Sequence, residues 1–114
     1  DYVNYKRGET GDGEWVLSVL RECIRKSGVR EVHSHVEIFD GEDSPPGFAA
    51  VVLIDESHVT AHCYSERGIL ALDVFTCGDS DPSEVAAMIN DALVSEIPGL
   101  RRVFEKRVER FRSD

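Results

Sequence analysis

The sequence predicts an α+β fold, a two-layer α/β sandwich in which an antiparallel sheet carries helices on one face. Three observations lead there. Two stretches place apolar residues at helical spacing. Between them lie apolar runs separated by short polar breaks, the pattern of a meander. With 114 residues the chain has room for one core, so residues 1–114 form a single domain.

Taken in order, Gly13 to Ser27 repeats Val16, Val19, Leu20, Cys23 and Ile24 on one helical face, and Gly28 ends it. Arg30 to Phe39 reads as a strand. Gly41 to Gly47 holds two prolines and two glycines and is a loop. Phe48 to Ile54 is a buried strand, Asp55 to His58 interrupts it, and Val59 to Tyr64 is the next strand. Ser65 to Gly68 turns the chain into a further strand, Ile69 to Cys77. A second helix starts with Asp81 as cap, Pro82 at its first position and Glu84 at the capping-box position. Its apolar face is Val85, Ile89, Ala92 and Leu93, and Pro98-Gly99 stops it. The tail from Arg101 to Arg112 reads as a strand or extended edge, with helix as the alternative.

Charge and composition exclude several functions. A net charge of −9 argues against a nucleic-acid binder, which needs a positive surface. It is compatible with cationic ligands and with simple solubility. No apolar run approaches the length of a membrane span. The chain opens on Asp1, and Asp1 to Gly13 is polar, so a trimmed or partial N-terminus is expected rather than a signal peptide. Cys23, Cys63 and Cys77 are an odd number without framework spacing. They read as reduced thiols of a cytoplasmic protein.

Chemistry-bearing residues concentrate between His33 and Cys77, and their composition leaves three readings open. A serine or cysteine nucleophile with a histidine base needs the two within hydrogen-bond reach. His62 lies five residues after Ser57, so a turn or bulge near Ser57 would have to unite them. A metal site could draw on His33, His35, His58, His62 and Cys63, since His33-x-His35 shares one strand face, but no CxxC or HExxH spacing supports it. The third reading is of polar residues lining turns, with Cys77 a small buried hydrophobe.

The block Asp55-Glu-Ser-His-Val-Thr-Ala-His-Cys-Tyr-Ser-Glu-Arg-Gly, followed by Asp73-Val-Phe-Thr-Cys-Gly, resembles the signature of the bacterial and archaeal S-adenosylmethionine decarboxylase family. The resemblance implies a proenzyme that cuts itself between Glu56 and Ser57. The Ser57 hydroxyl would attack the preceding carbonyl, and elimination and hydrolysis would leave a pyruvoyl group in place of the serine. A tight, strained turn suits that reaction. His62 would assist processing as acid or base. The pyruvoyl group would form a Schiff base with the substrate and act as electron sink. Cys77 would then donate the proton, Glu66 would bind the ribose hydroxyls and Tyr64 would face the sulfonium.

Departures from the family pattern set further expectations. Ala49 stands where the family carries a serine that helps processing, and Ser44 is a candidate substitute. The segment from His35 to Phe39 offers either Glu37 or Phe39 where the family stacks an aromatic ring on adenine. Glu37, with Asp40, Glu42 or Asp43, would also suit an ammonium or guanidinium. The expected function is therefore pyruvoyl-dependent decarboxylation in polyamine (spermidine) biosynthesis, with S-adenosylmethionine as substrate and arginine or ornithine as alternatives. An uncut, non-catalytic regulatory partner is the rival from another class. The resemblance also implies a homodimer, and no metal is expected.

Overall fold

The computed structural model describes residues 1–7, 9–77 and 81–111. The elements are β1 (Tyr2–Val3), α1 (Asp12–Ser27), β2 (His33–Phe39), β3 (Gly47–Ile54), β4 (Ser57–Tyr64), β5 (Ile69–Phe75), α2 (Pro82–Glu96) and β6 (Arg101–Arg102). All strands join one six-stranded sheet in the order β2-β3-β4-β5-β1-β6, antiparallel at every pairing. The α+β two-layer sandwich expected from the sequence is the fold observed.

Both helices pack on the same face of this sheet. Val16, Leu20 and Ile24 of α1 and Val85, Ile89 and Leu93 of α2 are buried against Phe48, Val52, Val59 and Leu70. Fully burying each such side chain contributes about 1.5–3 kcal/mol. The helix ends follow their sequence signals. Gly28 closes α1 in the left-handed conformation, its N–H donating to the Arg25 carbonyl at 3.2 Å. The Asp81 carboxylate accepts from the Ser83 N–H at 2.9 Å and caps α2. Glycine is required at position 47, where a Cβ would come within 1.9 Å of the Cys63 carbonyl oxygen.

Several boundaries differ from expectation. The break between β3 and β4 is only Asp55-Glu56, because Ser57 and His58 already pair with Ile54 and Leu53. β5 stops at Phe75 and leaves Cys77 beyond the ladder. Of the tail, only Arg101–Arg102 is a strand, paired to β1, and residues 103–111 run irregularly. Next to it the Asp1 carbonyl accepts from the Val103 N–H at 2.8 Å and the Asp1 ammonium donates to the Phe104 carbonyl at 2.8 Å, and farther on Arg107 reaches Asp81 and Ser83 at the start of α2. Gly78 and Arg112 lie outside the described residues. Among those described, no helix is long and apolar enough to cross a membrane.

Candidate active site

The β3–β4 hairpin turns on two residues. Ile54 faces Ser57 across the ladder, so Asp55 and Glu56 alone make the loop. Asp55 has φ of 47°, a conformation that two-residue hairpins usually assign to glycine. Its carboxylate is held by Arg30, from the α1–β2 connection, with Nε at 3.1 Å and a terminal nitrogen at 2.5 Å.

Ser57 begins β4 on the helix-covered side and is only 8% exposed. Its Oγ accepts the Cys77 N–H at 2.8 Å, which ties together two ends of the motif that lie 20 residues apart in sequence. Cys77 is half-buried and lines a cleft of about 360 Å³ with Ser27, Gly28, Val29, Asp81, Glu84 and Val85. The turn, the serine and the cysteine therefore share one corner of the sandwich.

His62 is not part of that corner. β4 pairs residue for residue with β3 and β5 from His58 to Tyr64, and no bulge shifts the alternation. Ser57, Val59, Ala61 and Cys63 consequently face the helices, while His58, Thr60, His62 and Tyr64 face the open side. At about 3.3 Å per residue, Ser57 and His62 stand roughly 16 Å apart along the strand and on opposite faces. The expected contact between them is thus corrected by an unbroken register.

On the open face the register aligns Glu37, Ala49, His62 and Ala71 in one row and Phe39, Gly47, Tyr64 and Ile69 in the next. The two alanines leave His62 standing clear of tall neighbours. Glu37 and Phe39 share this face, two residues apart along β2. Glu37 lies 3.0 Å from the His35 ring. Tyr64 is 45% exposed, and Glu66 is exposed in the turn just beyond it. Ala49 neighbours His62 rather than Ser57. Ser44 sits in the loop before β3, at the end of that strand away from Ser57.

Two interactions escaped sequence reasoning. The Arg30–Asp55 ion pair spans 25 residues. His58 lies 3.0 Å from the Asp73 carboxylate, with its ring 5.4 Å from that of Phe75. Both depend on register and connection geometry, which leave no local pattern in the sequence. Among the described residues, no three His, Cys, Asp or Glu side chains converge as metal ligands would. Cys63 points to the helices, and burial pushes its thiol up to about 11. Burial likewise raises Cys23.

Comparison with known proteins bears on the family and the fold. The S-adenosylmethionine decarboxylase family matches residues 1–104. A proenzyme of that name from Bacillus velezensis is 47% identical over 84 residues, covering 72% of this chain and 62% of the relative. One from Geobacillus is 35% identical over 107 residues, covering 86% and 82%. One from Archaeoglobus fulgidus is 40% identical over 73 residues, covering 64% and 62%. The matched part of the chain thus spans somewhat under two thirds of the length of two of these relatives. The crystal structure of the adenosylmethionine decarboxylase from Aquifex aeolicus superimposes with a TM-score of 0.56 at 24% identity, over 89% of this chain and 80% of that one, and so shares its fold. With its motif, topology and 104 matched residues in agreement, the chain belongs to the S-adenosylmethionine decarboxylase family.

Proposed function

We propose that the chain is a self-processing proenzyme that cuts between Glu56 and Ser57 and then decarboxylates S-adenosylmethionine in the cytoplasm, supplying polyamine synthesis. The observation that carries this reading is the Ser57 hydroxyl, buried beside a tight two-residue turn with its oxygen 2.8 Å from the Cys77 N–H. The amide N–H donating to that oxygen fixes where the hydroxyl sits, beside the peptide bond it would attack.

In the processing step, Ser57 Oγ bonds to the Glu56 carbonyl carbon, the Glu56–Ser57 C–N bond breaks, and the hydroxyl proton passes to the freed amine. Loss of the Ser57 Cα proton then breaks the Ser57 Cβ–Oγ bond of the ester. Glu56 leaves as a carboxylate and residue 57 becomes dehydroalanine. Hydrolysis consumes one water, releases ammonia and leaves the pyruvoyl group. Residues 1–56 and 57–114 become separate chains held in one sheet by the β3–β4 ladder.

The chemistry of the corner fits a pyruvoyl group at residue 57. A half-buried thiol adjoins it, and a cleft opens beside that thiol. Such a group supplies an electron sink for the loss of CO₂. Cys77 holds the proton returned to the product. Tyr64 and Phe39 offer aromatic faces to a sulfonium or an adenine. Glu66 accepts hydrogen bonds from ribose hydroxyls. His62, Tyr64 and Phe39 lie on the open face away from their own residue 57, so they would meet substrate held at the pyruvoyl group of a second copy. A second copy of the chain covering this face, as a homodimer, would shield it from water.

Intact mass of the purified protein tests the reading. Two fragments meeting at Glu56/Ser57, and a single chain in Ser57→Ala, are expected, with CO₂ released from S-adenosylmethionine in preference to arginine or ornithine. A wild-type chain that stays whole after long incubation would refute it.

A further inference from the structure

The loop at the cleavage point is held by residues outside the motif. Asp55 adopts φ of 47° without being glycine, at the position just before the residue whose carbonyl is attacked. Left-handed backbone is tolerated better by Asp than by most residues, yet it still costs more than it does for glycine. The Arg30 guanidinium holds the Asp55 carboxylate through two nitrogens. The Val32 N–H donates to the Leu53 carbonyl at 2.7 Å, which anchors the Arg30 segment to the end of β3. The loop is thus gripped on one side by Arg30 and on the other by the Ile54–Ser57 pair and the Cys77 N–H.

We infer that Arg30 and Asp55 are positioning residues for self-cleavage, holding the loop strained with the Glu56 carbonyl presented to Ser57 Oγ. The inference rests on the processing reaction proposed above. Opening the Glu56–Ser57 bond frees Asp55 from its constrained dihedral, so strain present before attack is released as the bond breaks. The pair touches neither the freed residue 57 nor the open face. Its effect is therefore confined to the rate of cutting. Asp55 and Arg30 supply an orienting grip that neither Ala49 nor Ser44 provides.

Freshly translated protein, sampled over time by intact mass, gives the rate of cutting. Arg30→Ala is expected to slow it about fivefold, equivalent to about 1 kcal/mol by transition-state arithmetic. Arg30→Lys should recover part of that loss, because it keeps the charge without the fork. Asp55→Gly removes both strain and carboxylate. It should cut more slowly than wild type while its melting temperature holds or rises, an opposition that general destabilisation does not produce. Decarboxylation per cut chain should stay at the wild-type level in all three. Wild-type cutting rates in both Arg30→Ala and Asp55→Gly overturn the inference while leaving the processing reaction intact. A wild-type chain that never cuts overturns the processing reaction, and the positioning role with it.

Discussion

The side of the sheet beneath the helices is closed and apolar, with Val52, Val59, Ala61 and Leu70 fully buried. The other side carries His35, Glu37, His62 and Tyr64, all exposed. The same strands supply both, by simple alternation of side chains. Stability is therefore concentrated on one parity of residues and polar chemistry on the other. Ser57 crosses that division: it is the proposed nucleophile, yet it lies on the packed side, at the end of a strand. A nucleophile held there has its geometry fixed by the core, whereas the open face is free to vary with the ligand it meets.

The largest test of this division is a matched pair of truncations. Leu20→Ala empties a fully buried position in α1 and should cost about 2–5 kcal/mol in chemical denaturation. Leu53→Ala, on the open face and 41% exposed, should stay within about 1 kcal/mol, since little packing is lost. Equal losses would place Leu53 itself in tight contact with the second copy.

A smaller effect separates the two faces by chemistry. His62→Gln should leave the cutting rate unchanged, because an unbroken β4 keeps His62 away from Ser57. The same variant should lower kcat/KM for decarboxylation about tenfold, equivalent to about 1.4 kcal/mol. A large fall in cutting would show that β4 shifts register or flips at Ser57 before the reaction.

The strand over Val59–Tyr64 was legible in the sequence, between the polar break at Asp55–His58 and the turn at Ser65–Gly68. So were both helices, from Gly28 at one end and Asp81-Pro82 at the other. The motif from Asp55 to Gly68 marked the corner that contains Ser57, and the resemblance pointed to Cys77 as its neighbour. What stayed hidden depends on register. Whether Ser57 and His62 meet turns on one bulge, and a bulge has no sequence signature here. Arg30 meets Asp55 only because the α1–β2 connection returns along the end of β3. The tail reads as a strand or extended edge because apolar residues stand among charges there, whereas the strand itself is Arg101–Arg102, with Val103 and Phe104 following it in hydrogen bonds to Asp1.

The smallest effect probes the rim of the packed side, where α2 begins. The Ser83 backbone N–H donates to the Asp81 carboxylate and, with Arg107 beside it, holds its pKa below the usual 3.8. A group whose pKa is lower in the folded than in the unfolded chain stabilises the fold above the unfolded value. That contribution disappears as pH falls through the folded value. Asp81→Asn keeps a good cap acceptor but has no charge to lose. The melting temperature of wild type should therefore exceed that of the variant above about pH 5, and the gap should narrow steadily below pH 4. The other carboxylates titrate over the same range, but they are common to both proteins and cancel in the difference. Salt should shrink the gap as well, because the Arg107 pair is exposed and screened. A gap that stays flat from pH 2 to pH 6 would show that the cap acts through its hydrogen bond alone, and that the tail adds no charge clasp to the helix layer.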